Sequence, residues 1–229
     1  MQVKYIGRKD IISYYYASIY NTIWGKSKLL VPFEILLEFL SPKNPTQVLE
    51  VGGGSECSHI KYVNKIPTKN YVVLDPVLPT SQVRALLKKQ YPFVQFQKGV
   101  SENIPYPQNY FDHIKITCVL HHVNDLFKSL QEIRRVSKNN CEIVILIPTD
   151  PGFFNLAIKK MFTFKKINKV SIYPADLIYS LDHRNSIHNI ISMLRYIFKN
   201  DLIKFFYLPF FVKSINLNLV WICKIKISK

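Results

Sequence analysis

Three of the chain's seven glycines stand side by side, Gly52, Gly53 and Gly54, directly after the run V-L-E-V at 48–51. In a chain this poor in glycine, such a concentration has a backbone cause. A strand that ends in a tight turn needs glycine to reach φ > 0 and to let a ligand approach the main chain closely. A turn of this kind, leading from a strand into a helix with free N–H groups, is a nucleotide-type cradle. An ordinary tight turn uses the same residues, so the motif becomes specific only through what accompanies it.

What accompanies it is an alternation of apolar runs. Those at 48–51, 71–74, 93–96, 113–120 and 142–147 read as buried strands, and 55–63, 81–90 and 125–137 as helices between them. Strands and helices alternating at this pace imply a parallel sheet with right-handed crossovers. Val83, Leu86 and Leu87 face inward in the second of these helices, and Leu126, Leu130, Ile133 and Val136 in the third. Two further helices precede the sheet. One covers 9–24 with Ile12, Tyr16, Ile19 and Ile23 on one face, widened by Tyr14, Tyr15 and Tyr20; the other covers 32–40 with Phe33, Leu36, Leu37 and Leu40 inward. After Pro148 the rhythm changes. Residues 149–200, rich in aromatic and basic side chains, read as an inserted helical cap, and 203–211 with 218–227 as an antiparallel pair that finishes the sheet. The expected fold is α/β and Rossmann-like, a doubly wound, mostly parallel sheet in a single domain. Its parts are a helical cover at 1–45, a core at 46–148, the cap at 149–200 and the final strands at 201–229.

With 229 residues, 48% of them apolar, the chain has room for one α/β core with a cap and is cramped for two domains. Its 31 basic and 15 acidic residues give a formal charge of +16, which suits an anionic small molecule, an anionic membrane surface or nucleic acid. The lysines are spread along the chain, so a general compositional bias accounts for the charge equally well. Cys57, Cys118, Cys141 and Cys223 form no C-x-x-C pair, so neither a metal site nor a disulfide framework is expected, and a reduced, cytoplasmic setting fits. The first residues are polar and charged, unlike a signal peptide. The most apolar stretch, 202–223, is interrupted by Lys204, Pro209, Lys213, Asn216 and Asn218, which speaks against a membrane-spanning helix.

In an open parallel sheet, ligands bind beyond the carboxyl ends of the strands. Those ends carry distinctive residues here. The first delivers the glycine turn and the second Asp75, a carboxylate suited to a ribose diol; Gly99, Val100, Ser101 and Glu102 follow the third, His121 and His122 the fourth. The motifs V-L-E-V-G-G-G (48–54), V-V-L-D-P (72–76), G-V-S-E-N-I-P-Y (99–106), F-D-H-I-K-I-T-C-V-L-H-H-V (111–123) and L-Q-E-I-R-R-V-S-K (130–138) together resemble the class I S-adenosylmethionine-dependent methyltransferases. The similar branch is the small-molecule one whose fourth strand ends in V-L-H-H-V. The resemblance implies S-adenosylmethionine as cofactor and a seven-stranded sheet with a reversed last strand. It implies that Gly52 and Gly54, with Gly53 between them, form the turn along which the methionine part of the cofactor lies, and that Glu50 holds the network near its amino group. Asp75 would accept from the ribose hydroxyls, Ser101 and Glu102 would meet the adenine ring, and the strand from Val119 to His121 would pass beneath. Three departures stand out: Glu56 replaces a third glycine, Val100 stands where an aspartate usually meets the adenine amino group, and Asn139, Asn140 and Cys141 replace a proline–glycine–glycine turn.

Methyl transfer from a sulfonium is an in-line displacement with an activated leaving group, so orientation carries much of the catalysis. For a hydroxyl acceptor a base of near-neutral pKa helps, and His121, His122 and His183 are the candidates by type. Asp182, His183 and Arg184 equally suit a salt-bridged helix end. Lys159, Lys160, Lys165, Lys166 and Lys169 interleave with Phe153, Phe154, Met161, Phe162 and Phe164. Such a pattern suits a lipid or sugar phosphate, an anionic membrane or single-stranded nucleic acid, or else the solvated face of a helix. P-T-D-P-G at 148–152 and D-H-R-N at 182–185 resemble, more faintly, envelope-associated methyltransferases, which points to a lipid-linked or saccharide acceptor. An RNA methyltransferase is disfavoured because no N-P-P-Y tetrapeptide follows the fourth strand. A non-catalytic cofactor-binding protein of the same fold is the other alternative, through the loss at Val100.

Overall fold

The computed structural model describes residues 7–24, 31–54 and 69–229. The helix expected at 55–63, with Glu56 and Cys57, lies outside the described residues. The apolar runs build a seven-stranded sheet from β1 (Gln47–Val51), β2 (Asn70–Asp75), β3 (Val94–Lys98), β4 (Phe111–Thr117), β5 (Ser137–Pro148), β6 (Leu202–Leu208) and β7 (Val220–Lys226). Their order is β3-β2-β1-β4-β5-β7-β6. Pairing is parallel from β3 through to β5, and β7 runs antiparallel to both neighbours, so the reversed last strand is present. The strand order reverses between β1 and β4, which sets the switch point, and hence the crevice for a ligand, between the glycine turn and the end of β4.

One face of the sheet is covered by α5 (Leu126–Val136), whose Leu126, Leu130, Ile133 and Val136 are all buried as expected. Asp125 caps it by accepting from Lys128 N at 2.9 Å. Beside it lies α9 (Ile187–Ile197), with Ile187, Ile190, Ile191 and Leu194 in the same apolar cluster. The stretch 149–200 is therefore not all cap. Its last helix has apolar residues at helical spacing and closes the main core as the crossover between β5 and β6. On the opposite face α3 (Val31–Leu40) packs Leu37, with Phe33, Leu36 and Leu40, against Val144, Leu146, Val220 and Ile222. The buried Lys115 ammonium on β4 meets the Glu38 carboxylate at 2.5 Å and ties this helix to the sheet. At the outer edge, α4 (Ser81–Gln90) packs beside β3, where Leu87 meets the cluster of Val48, Tyr71, Val73 and Val94, while Leu86, expected inward, is 65% exposed.

The remaining helices form a lid with an apolar cluster of its own. From the N-terminal side come α1 (Arg8–Tyr14), a π-helical turn at Tyr15–Ile19 and α2 (Tyr20–Trp24). From the segment after β5 come α6 (Phe153–Ile158), a second π-helical turn at Lys159–Thr163, α7 (Phe164–Val170) and α8 (Ala175–Asp182). Ile11, Tyr15 and Ile19 pack against Ile167, Ala175 and Ile178. Of the inward face expected at Ile12, Tyr16, Ile19 and Ile23, Ile19 and Ile23 join this cluster, whereas Ile11 and Tyr15 are buried in place of Ile12 and Tyr16; Tyr16 is 41% exposed and turns its hydroxyl to Asp182.

One buried group makes the core sensitive to acid. His113 on β4 is fully buried, with Nδ1 at 2.7 Å from the Glu142 carbonyl and Nε2 lacking a protein partner among the described residues. Burial, reinforced by the nearby Lys115 charge, pushes its pKa down to about 3 from 6.5. Because the folded pKa is depressed, this contribution to stability is complete above about pH 6.5 and is lost as the unfolded chain takes up its proton at lower pH. The thermal unfolding midpoint is expected to fall between pH 7 and pH 5, and His113→Gln to flatten part of that slope. A wild-type midpoint that holds steady across this range contradicts the assignment.

Candidate active site

A cavity of about 320 Å³ opens at the carboxyl ends of β1, β4 and β5. The glycine turn, Thr117 and Cys118 bound it on the sheet side; Tyr15, Tyr20, Lys159 and Tyr179 bound it from the lid, and Phe33 and Glu34 from α3. Gly52 has φ 75° and donates its N–H to the Leu74 carbonyl at 2.8 Å. A Cβ there would come within 2.1 Å of Val119 Cγ2, so Val119 fills the space directly against the glycine turn. Gly54 has φ 69°, and among the described residues nothing lies within 4 Å of a Cβ built there, so the requirement seen is conformational.

The two acidic strand ends have different surroundings. Asp75 accepts from Gly54 N at 2.9 Å through one oxygen and from Val77 N at 2.8 Å through the other, so it shapes the glycine turn while each oxygen keeps a further lone pair. Glu50 is buried, accepts from the Tyr71 hydroxyl at 2.7 Å through Oε2, and has no partner for Oε1 among the described residues. Burial raises its pKa, against the opposing pull of Tyr71 and Lys115. A glycine turn that admits no Cβ at Gly52, a carboxylate at the end of β2 and a carboxylate oxygen of Glu50 without a partner among the described residues form a set that fits S-adenosylmethionine, which offers an ammonium and a ribose diol.

Ser101 and Glu102 are placed differently from the expectation. Ser101 Oγ lies 2.8 Å from the buried Ser129 Oγ on α5, and Glu102 Oε1 accepts from Asn124 N at 2.9 Å and Asp125 N at 3.3 Å. Both side chains hold the loop after β3 against the start of α5, because the carboxylate is drawn to the exposed N–H groups there. A second cavity, of about 290 Å³, lies beside them and is bordered by Pro76, Lys98, Gly99 and Val100.

The histidines come together. β4 ends at Thr117 rather than at Leu120 as expected, Cys118 adopts φ 55°, and the chain turns so that His121 is buried and His122 half-buried. His183, just beyond α8, completes a cluster with ring centroids 3.9, 4.4 and 5.0 Å apart. Backbone docking fixes this. Arg184 N and Asn185 N donate to the His121 carbonyl at 2.8 and 3.2 Å, while Asn185 Nδ2 donates to Leu120 O at 3.0 Å and Val123 O at 2.9 Å. The D-H-R-N segment is thereby locked onto the V-L-H-H-V turn.

Two carboxylates orient the rings. His183 Nδ1 lies 2.9 Å from Asp150 Oδ2, which also pairs with the Lys159 ammonium; His122 Nδ1 lies 3.3 Å from Asp182 Oδ1, which accepts from the Tyr16 hydroxyl at 3.1 Å. Burial would raise the Asp150 carboxyl, but the His183 hydrogen bond and Lys159 outweigh it and bring it to about 2. His121 is held well below its usual value by burial and by its two histidine neighbours, and His183 is lowered by burial against the pull of Asp150. Both are neutral imidazoles near pH 7. Burial, then Glu34, pushes the Cys118 thiol up to about 12, so it lines the cavity as a thiol. From the sequence, Lys159 entered only with the basic and aromatic residues of the cap and Asp150 only within P-T-D-P-G, and neither was assigned to the histidines; the position of Asp150 two residues beyond the end of β5 at Pro148 was the further signal.

Residues 49–145 match a methyltransferase domain family. Among curated proteins the chain is similar to the ubiquinone/menaquinone biosynthesis C-methyltransferase UbiE of Ectopseudomonas mendocina, 30% identical over 132 residues that cover 56% of this chain and 51% of that protein. It is also similar to the UbiE of Vibrio cholerae, 27% identical over 104 residues covering 44% and 40% of the respective chains. The chain thus spans about half the length of these relatives or less. Among solved structures, the Burkholderia thailandensis 1,6-didemethyltoxoflavin-N1-methyltransferase, with that compound and S-adenosylhomocysteine bound, superposes with a TM-score of 0.64 at 13% identity, covering 100% of this chain and 94% of that one. The plantazolicin methyltransferase BamL, in complex with a desmethyl analogue and S-adenosylhomocysteine, gives 0.65 at 15% identity over 97% and 92%.

The two glycines separate by experiment. Gly52→Ala adds a 2.1 Å clash to an unfavourable φ, whereas Gly54→Ala adds only the conformational term of about 1–2 kcal/mol. Calorimetry with S-adenosylhomocysteine is expected to show binding abolished by the first and weakened about tenfold by the second; equal losses contradict this geometry.

Proposed function

We propose that this chain, a class I S-adenosylmethionine-dependent methyltransferase by its 49–145 domain, methylates a small flat-ring molecule held between the glycine turn and the lid. The observation that carries this reading is a single cavity that joins Gly52, Gly53 and Gly54 to the three histidines between aromatic walls. Its 320 Å³ fits a small molecule, and Tyr15, Tyr20, Phe33 and Tyr179 supply ring faces for stacking. Flat-ring acceptors also agree with the relatives' names, which place them in ubiquinone and menaquinone biosynthesis.

S-adenosylmethionine, when bound, supplies a methyl group already activated on a sulfonium. The chain's own residues then have two tasks. Glu50, Asp75 and the glycine turn hold and orient the cofactor, and the lid excludes water from the acceptor. The acceptor's proton is drawn off at the histidine cluster, where Asp150 engages His183 Nδ1 and leaves Nε2 as the nitrogen available to a ligand. His183→Ala is expected to lower turnover at least about 100-fold while S-adenosylhomocysteine binds as in the wild type. Deuterated S-adenosylmethionine incubated with enzyme and metabolite or lipid fractions identifies the acceptor by its mass gain. No gain in any fraction, or undiminished turnover in the variant, refutes the reading.

The acceptor's delivery points to a lipid-linked molecule and an anionic membrane. Phe153, Phe210, Phe211, Val212 and Leu217 form an exposed apolar tip, with Phe211 69% and Phe153 74% exposed. This tip is ordered from below. The fully buried Asn218 accepts from Phe210 N at 3.0 Å and donates to Val212 O at 2.9 Å and Ser214 O at 2.7 Å, while Asn216 receives Phe153 N and Phe154 N. Exposed lysines at 160, 165, 166 and 213 add positive charge. No helix among the described residues is long and apolar enough to cross a membrane, so a contact of this chain is peripheral in this reading. Co-sedimentation with phosphatidylserine vesicles is expected for the wild type and lost on joint Phe210→Ser and Phe211→Ser substitution; equal sedimentation of both removes the membrane from the proposal.

A further inference from the structure

We infer that His121, His122 and His183 form a site for one divalent transition-metal ion, at which a hydroxyl of the acceptor binds and ionises. The second clause rests on the methyl-transfer reading; the metal site itself does not. One ring nitrogen from each residue lies within 4.8 Å of the others. A tetrahedral ion with metal–nitrogen bonds of about 2.0–2.1 Å needs its ligand nitrogens about 3.4 Å apart, so the set draws in when an ion binds.

Four features distinguish this cluster from histidines that merely pack. The first is the pairing of Asp150 with His183 Nδ1 and of Asp182 with His122 Nδ1, which is the carboxylate–histidine arrangement that orients metal-bound imidazoles and makes them more basic. Next, His121 Nδ1 is buried with no hydrogen-bond partner among the described residues. Such a nitrogen loses its hydration on burial and recovers it only through a ligand. Third, the three imidazoles converge on one another at ring separations of 3.9–5.0 Å, close enough for one ion to bind all of them. Finally, the charged groups around the cavity are the Asp150, Asp182 and Glu34 carboxylates and the Lys159 ammonium, which sum to −3 + 1 = −2. A dication offsets that deficit.

The geometry is preset by the fold. His121 and His122 follow β4 and His183 follows α8, and the Asn185 clamp on Leu120 and Val123 holds the two segments in register. An all-imidazole set suits Zn²⁺, Co²⁺, Ni²⁺ or Fe²⁺ and disfavours Mg²⁺ or Ca²⁺, which take oxygen ligands. Three protein ligands leave a position open toward the cavity. An acceptor hydroxyl that enters there displaces the hydroxide on the ion, which takes the hydroxyl proton and leaves as water, so the acceptor oxygen stays on the ion as an alkoxide.

The test uses the full chain stripped with a chelator and then titrated with Co²⁺ or Zn²⁺ alone. Cobalt is expected to give an intense visible ligand-field band that saturates at one ion per chain, and X-ray absorption of the zinc-loaded protein to show three imidazole nitrogens around the ion. His122→Ala is expected to weaken zinc binding at least 100-fold, and Asp150→Asn about 10–100-fold with the band retained. Thermal unfolding of each variant checks that the fold survives, and the wild-type spectra do not depend on any variant. Cobalt without the band, or zinc bound with no imidazole neighbours, overturns the site. S-adenosylhomocysteine binding to the metal-free protein is measured in parallel, so loss of the metal site and loss of the methyltransferase reading remain separate outcomes.

Discussion

The docking of Arg184 N and Asn185 N on the His121 carbonyl, with the Asn185 amide across Leu120 and Val123, is the constraint on which the site depends. It joins two segments that have no reason to meet locally. The turn after β4 would otherwise leave the carbonyls of Leu120, His121 and Val123 beyond the sheet ladder, and the segment after α8 would leave Arg184 N and Asn185 N without these acceptors. By satisfying each other's backbone groups, the two segments fix the lid's height above the glycine turn and the spacing of the histidines in one step.

Electrostatics follows from that placement. Asp150 and Asp182 enter a low-dielectric region only because His183, Lys159, His122 and Tyr16 meet them there. The same burial leaves His121 and His183 uncharged at neutral pH. A pocket with two anionic orienters and neutral rings is then chemically ready to accept a proton or a cation. Neither property belongs to one residue.

The sheet was largely legible because its signals are local. V-L-E-V-G-G-G is a strand followed by a turn that only glycine satisfies, and Gly52, at φ 75° against Val119, confirms the reason. Asp75 stands at the end of β2, as the apolar run that it closes predicts. The lid was less legible. The period expected through 9–24 placed Ile12 and Tyr16 inward, but Ile11 and Tyr15 are the buried pair, and the Tyr16 hydroxyl answers to Asp182 across the lid. Ser101 and Glu102 sit where expected along the chain, but their side chains answer to α5, a contact across the fold that no local pattern reports. Likewise α9 looked like more of the cap because the composition of 149–200 changes gradually, whereas only its neighbour α5 reveals that it belongs to the core.

The two π-helical turns, Tyr15–Ile19 and Lys159–Thr163, both place a residue in the cavity wall, Tyr15 in one and Lys159 in the other. A π turn is an α-helix that has absorbed one extra residue without breaking. Excising one residue from either turn would leave a continuous helix whose downstream side chains are rotated by about 100°. Lineages of this fold can therefore exchange a ring or an ammonium at the mouth of the pocket through single-codon insertions and deletions, with the glycine turn and the sheet beneath left unaltered.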